Sequence, residues 1–128
     1  MRQLDTKVFS DLVYDKLDEL DYDQVISYPT SQSTFPCLEL HTPLKSTRKS
    51  ENGFPLSVIF QISITCWNEK QRECMEMTDE VEQKLQEYNF TRTNTSPSIR
   101  DEVLKKYGIT ITFEVRYNAI TDSFEFIK

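Results

Sequence analysis

The sequence predicts an α+β fold: two main helices packed on one face of a roughly four-stranded, mainly antiparallel sheet, with a long loop between the first two strands. Residues 56–67 and 109–117 alternate apolar and polar side chains, as half-buried strands do. Residues 3–20 and 69–88 carry apolar side chains at steps of three and four, as amphipathic helices do. Placing both helices on the apolar face of the sheet buries these surfaces together and leaves the second sheet face free.

The first helix, predicted over residues 3–20, has one apolar face and one charged face. The apolar face comprises Val8, Phe9, Leu12, Val13, Leu17 and Leu20. The first strand is predicted over residues 35–41 (FPCLELH). Because proline donates no ladder hydrogen bond, Pro36 indicates that this strand lies at an edge or begins there.

Residues 42–54 (TPLKSTRKSENGF) are predicted to form a flexible loop. Proline, glycine, serine and threonine are typical of turns, and a connection of this length exceeds an ordinary hairpin loop. The segment is locally positive in an otherwise acidic chain. It is the candidate partner-contact loop, with a solvated loop tip as the plain alternative, and its three cations are Lys45, Arg48 and Lys49.

The second strand, 56–67, leads directly into the second helix, 69–88. A short helical turn over Glu102–Tyr107 is then expected, with Gly108 as its C-terminal cap. The last two strands are predicted over 109–117 and 123–127, and the short turn between them indicates a hairpin.

Composition sets further limits. The 128 residues have room for one domain, 1–128. With only two glycines, the chain cannot contain a glycine-rich nucleotide-binding fingerprint or phosphate-binding loop. A net charge of −6 argues against a non-specific nucleic-acid binder, which needs a basic face. The charged start of the chain is unlike a signal peptide, and no apolar run is long enough to span a membrane, so we expect folding in the cytoplasm.

No catalytic, cofactor-binding or metal-binding residues are predicted. His41 is the single histidine, so a histidine pair or a typical zinc site cannot be assembled. The three cysteines lack CxxC spacing and fall in apolar patterns, which indicates buried structural side chains: Cys37, Cys66 and Cys74. The protein is therefore not predicted to be an enzyme.

The polar face of the predicted sheet contains the candidate subunit interface. Large apolar residues on an otherwise polar face often mark a contact surface. Glu114 and Arg116, two residues apart in one strand, lie on this same face, where an exposed ion pair is the plain alternative. The candidate interface residues are Ile59, Trp67, Glu114 and Arg116.

The order of elements resembles the tail-terminator and head–tail joining proteins of long-tailed bacteriophages. The resemblance covers nearly the whole chain and rests on patterns, without an invariant motif. It is carried by the opening helix and by the segments SYPTSQSTFPCLEL, CWNEKQRECMEMTDEVEQKL, RTNTSPSIRDE and GITITFEVRYN.

The resemblance implies a virion structural protein that forms a homo-oligomeric ring, commonly a hexamer, during tail assembly. Such a ring caps the tail tube and joins it to the head connector or stopper protein. DNA passes through it without specific binding, and neither a cofactor nor a membrane is involved. The implied location is the head–tail junction of the virion, after assembly in the host cytoplasm.

Two other classes of function stay open on the sequence. One is another head–tail completion or stopper protein, or a small cytosolic protein-binding module with the same layout. The other is a small enzyme, which would require a concave apolar pocket with converging polar groups.

Overall fold

The computed structural model describes residues 4–30, 32–49, 55–118 and 120–126, which form two α-helices and eight strands of one mixed sheet. Helix α1 spans Thr6–Leu17 and continues as a 3-10 turn over Asp18–Leu20, and helix α2 spans Gln71–Gln86. The strands are β1 (Asp23–Val25), β2 (Cys37–Leu40), β3 (Leu44–Lys49), β4 (Pro55–Asn68), β5 (Thr91–Thr95), β6 (Ile99–Asp101), β7 (Lys106–Asn118) and β8 (Ser123–Glu125).

Two long antiparallel strands, β4 and β7, form the centre of the sheet. The outer side of β4 pairs with β2 and then with β3, while the outer side of β7 pairs with β6, β5 and β8. Strand β1 extends the sheet beyond β2 and runs parallel to it. Short strands placed end to end along two long ones therefore account for most of the sheet.

The predicted four-stranded, mainly antiparallel sheet is wrong, because the sheet has eight strands and includes a parallel pair. The strands beyond the predicted four are short, and three of them are polar: β3 (LKSTRK), β5 (TRTNT) and β6 (IRD). Such segments carry little apolar alternation of their own. They become strands because the long strands beside them offer unpaired backbone N–H and C=O groups.

The predicted flexible loop over 42–54 is also wrong over its first half. Strand β3 pairs antiparallel with β4, from Leu44 opposite Gln61 to Lys49 opposite Pro55. The break between β2 and β3 falls at residues 41–43, where Pro43 cannot donate a ladder hydrogen bond. Residues 50–54 lie outside the described part of the chain.

The helical turn expected over Glu102–Tyr107 is a non-helical turn between β6 and β7. The Asp101 carboxylate holds it, since Oδ1 accepts hydrogen bonds from the N–H groups of Val103 (2.9 Å) and Leu104 (2.8 Å). Gly108 therefore lies within β7 and does not cap a helix.

The core lies between the two helices and one face of the sheet. The ring of Phe9 in α1 stacks on Phe60 in β4, with centroids 4.1 Å apart, and on Phe90, at 5.6 Å. Helix α2 adds an apolar stripe that belongs to the same buried cluster: Cys74, Met77, Val81 and Leu85. Lys16 and Glu87, 2.7 Å apart, join the helices at their exposed sides. Both helices therefore cover the same face of the sheet.

Candidate functional site

The second face of the sheet is polar along its middle, and neither described helix packs on it. Hydroxyl groups pair across the two central strands: Ser63 with Thr112 at 2.9 Å and Thr65 with Thr110 at 2.7 Å. These pairs satisfy each other's hydrogen bonds and keep the side chains close to the sheet. We call this surface the open face.

A cleft of about 250 Å³ lies at one end of the open face. Its floor is formed by Trp67 of β4 and Gly108 of β7, which are directly opposite each other in the sheet. Its sides come from β2, from β6 and from the segment after β1, which together contribute Glu39, His41, Tyr28, Ile99 and Asp101. Residues far apart in sequence therefore converge on one concavity.

The indole of Trp67 is buried within the subunit, with 5% of its surface exposed. It packs in a small cluster with Cys37, Leu104 and Phe35, and the ring of Tyr28 meets it edge-on at 5.6 Å. The missing side chain of Gly108 makes room for the indole. Trp67 is therefore buried, although its place on the polar face predicts exposure, because this end of the face is covered by other parts of the chain. Its role in a subunit interface stays a prediction.

Glu39 is a carboxylate in an almost fully buried position, with 7% of the residue exposed. Its Oε1 accepts a hydrogen bond from the indole N–H of Trp67 at 3.0 Å. Its Oε2 lies 3.9 Å from His41 Nε2, which is beyond hydrogen-bonding distance. One oxygen is thus satisfied inside the protein, and the other is left with a distant neighbour beside the cleft.

His41 does not form a catalytic triad with its neighbours, although a carboxylate and a hydroxyl lie close to it. Its Nε2 is 2.8 Å from Thr65 Oγ1, and the same nitrogen is the one nearest Glu39. In a triad the base contacts the nucleophile with one ring nitrogen and the orienting carboxylate with the other. The arrangement fixes the histidine at the edge of the cleft without preparing a nucleophile.

Asp101 forms the opposite rim of the cleft and accepts a hydrogen bond from the Tyr28 hydroxyl. This bond raises the pKa of Tyr28 to about 12 and lowers the pKa of Asp101. Backbone N–H groups of the following turn also favour the ionised Asp101. The rim therefore carries a carboxylate held in its charged form, next to an aromatic ring.

The partner-contact and interface residues predicted from sequence do not gather at this cleft, except for Trp67. Lys45 is exposed on β3, while the side chains of Arg48 and Lys49 lie outside the described part of the structure. Ile59 and Arg116 face each other across β4 and β7 and are half-buried, as is Glu114. Among the described residues, Glu114 and Arg116 form no ion pair with each other, and the roles proposed for these residues in subunit contact stay predictions.

Sequence reasoning missed Glu39, the central residue of the cleft. The segment CLEL contained a usable signal, because Glu39 alternates with Leu38 and Leu40 and so shares a face with His41. The partners that cover it, Tyr28 and Asp101, come from distant segments. No local sequence pattern predicts that Tyr28 and Asp101 lie close to Glu39.

The three cysteines are free and buried, as their apolar surroundings in the sequence predicted. Burial raises the pKa of Cys37 to about 12 and that of Cys74 to about 11, and it also raises the pKa of Cys66. A raised thiol pKa leaves little of the reactive thiolate near neutral pH.

We therefore expect iodoacetamide at pH 8 to leave the native protein unmodified and to alkylate all three thiols once urea unfolds it. Intact mass measured over time checks this. Rapid alkylation of any cysteine in the native protein would contradict the assigned burial.

Comparison with protein-family models finds no match, and comparison with curated protein sequences finds none either. Across the described residues, neither helix is long and apolar enough to cross a membrane.

Proposed function

We propose that this chain is a non-enzymatic structural protein of the tailed-phage virion, with the role of a tail terminator. In this role its copies assemble into a ring, commonly a hexamer, that caps the tail tube and joins it to the head connector. The proposal rests on the resemblance of the element order and on one structural observation, the one-sided covering of the sheet.

That observation concerns the open face. Both helices pack on one side of the sheet, whereas the other side carries exposed apolar side chains at its two ends. Leu44 lies on this face because it is opposite Gln61, and Ile99 lies there because it is opposite Gly108. Both side chains are more than half exposed, at 64% and 62%. Exposed apolar groups beside a polar surface are typical of a protein–protein interface.

A ring also needs two different surfaces on each subunit, since head-to-tail contacts close by rotation. The open face and the edge of the sheet at β3, which no described residue pairs with, supply two such surfaces. The negative net charge of −6 is compatible with a channel that lets DNA pass without holding it.

The test is the assembly state of the purified chain, alone and with tubes formed by a phage tail-tube protein. Light scattering is expected to give a multiple of the 15.1 kDa subunit, and electron microscopy is expected to show rings at tube ends. A chain that stays monomeric and never caps tubes overturns the proposal.

A matched pair of variants tests whether the open face makes the contact. Leu44→Ser removes an exposed apolar side chain from the open face, and Met75→Ser removes one from the outer surface of α2. We expect the first to weaken ring formation and the second to leave it unchanged. Equal assembly of both variants would argue against the open face.

A further inference from the structure

The cleft beside Trp67 is an acidic site. Glu39 and Asp101 contribute two carboxylates, and among the described residues no lysine or arginine lines it. A carboxylate as buried as Glu39 is costly unless a positive charge or hydrogen-bond donors compensate it. The indole N–H satisfies Oε1, whereas Oε2 has no hydrogen bond to any described residue, so Oε2 is the oxygen that a ligand would contact.

The size and walls of the cleft fit a single long side chain. Its volume of about 250 Å³ is below the range of roughly 300–1,000 Å³ typical of small-molecule sites. Tyr28 and Ile99, 56% and 62% exposed, offer apolar surface at the rim, while Glu39 lies deeper. An aliphatic stem that ends in a positive charge matches this order, with apolar surface at the rim and the Glu39 carboxylate deeper in the cleft.

We propose that this cleft binds Lys45 of a second copy of this chain, with the ammonium group at Glu39 and the aliphatic stem against Tyr28 and Ile99. The contact joins two different surfaces, the cleft of one subunit and the β3 strand of the next. It rests on the proposed ring, for which it supplies the head-to-tail interface.

Charge complementarity and an open strand edge together favour strand β3 as the occupant. Strand β3 (LKSTRK) carries three of the chain's cations within six residues. Within the described part of the chain, Lys45 is exposed and has no ion-pair partner. Strand β3 pairs there with β4 alone, so its other edge is unpaired by any described residue. In contrast, five of the other cations already have carboxylate partners: Lys16, Lys84, Arg92, Arg100 and Lys106.

Lys45 cannot fill the cleft of its own subunit. It is opposite Phe60 in the sheet, whereas the cleft begins at Thr65, five residues further along β4. At about 3.3 Å per residue this is a separation of roughly 17 Å. Lys45 also shares the face of Phe60, on the helix side of the sheet, so only a second molecule can bring it to the cleft.

A peptide experiment tests the cleft by itself. Trp67 is the only tryptophan, so its emission reports on the cleft floor. The probe is a blocked peptide of residues 43–50 (PLKSTRKS), and its control has glutamine at the three cationic positions. We expect a saturable change in emission with the basic peptide and an apparent Kd at least about tenfold weaker for the control. Equal responses to the two peptides overturn the proposal.

Glu39→Gln is the matched change in the cleft, because the amide oxygen still accepts the indole hydrogen bond while the charge is lost. We expect it to weaken peptide binding and subunit association by about thirtyfold or more. Lys45→Glu is expected to weaken association similarly, whereas Lys7→Glu, which makes the same charge change at an exposed site on α1, leaves it unchanged.

Mixing two variants tests the head-to-tail geometry. The Lys45→Glu chain keeps an intact cleft, and the Glu39→Gln chain keeps an intact strand. A mixture can form one productive contact, so we expect a heterodimer, observed by sedimentation, that does not grow into a ring. Absence of the heterodimer while wild-type rings form overturns the proposal.

The outcomes separate this contact from the proposed function. If the wild-type chain forms rings and the Lys45→Glu and Glu39→Gln variants form them equally well, the cleft contact is overturned and the ring proposal stands. Self-association that depends on both residues, in a chain that never caps tail tubes, supports the cleft contact and overturns the tail-terminator role.

Discussion

Replacing Phe60 by alanine is expected to lower the free energy of unfolding by about 3–5 kcal/mol. The ring is fully buried and stacks on Phe9 with centroids 4.1 Å apart, so it joins the central strand to the first helix. Its removal loses the transfer free energy of the ring and leaves a cavity between two rigid elements that cannot close on it. Urea denaturation, followed by far-ultraviolet circular dichroism, measures the change.

Phe126→Ala is the matched control, because this phenylalanine is 53% exposed. The same chemical change there is expected to alter the unfolding free energy by no more than about 0.5 kcal/mol. If Phe60→Ala were as mild as this control, the core would not be organised around the stacked phenylalanines.

Gly108→Ala is expected to destabilise the protein by about 1–3 kcal/mol, against the usual effect of this substitution in a strand. Within regular structure, alanine is ordinarily more favourable than glycine by roughly 0.5–1 kcal/mol. Here the added Cβ would lie 2.8 Å from Cζ3 and 3.0 Å from Cη2 of Trp67. The indole is rigid and packed on its other side, so the strand or the ring must move.

A second substitution isolates this clash. In a Trp67→Leu background the indole is absent, and Gly108→Ala should then be neutral or slightly stabilising. The difference between the two backgrounds, obtained from denaturation of the four proteins, is the coupling between the residues. A Gly108→Ala penalty of equal size in both backgrounds would mean that the indole does not set it.

The two helices and the two long strands were predictable because each is encoded by the periodicity of its own residues. The alternation over residues 56–67 depends on the period of a strand alone, and the structure extends this strand to Pro55–Asn68. The apolar steps of the two helices have the same local origin. In contrast, β3 and β5 are polar segments that depend on hydrogen bonds to β4 and β7, which no local pattern encodes.

The residues of the cleft also divide into features that local periodicity predicts and features that depend on distant segments. His41 and Trp67 could be assigned to the polar face of the sheet from strand period, yet the burial of Trp67 could not. That burial depends on Tyr28, Leu104 and Phe35, which approach from segments without regular periodicity. The segment Glu102–Tyr107 was predicted to be a helical turn capped by Gly108, whereas the pairing of β6 with β7 decides its shape.

By itself, the sequence determined two amphipathic helices, two long alternating strands, buried cysteines and an acidic charge with one basic segment. Each of these follows from side-chain chemistry repeated at a fixed period. Only the tertiary structure decided the number of strands, the parallel β1 pair and the convergence of Glu39, Trp67 and Asp101. These depend on backbone pairing and packing between distant segments, whose free energy appears only when the chain is folded.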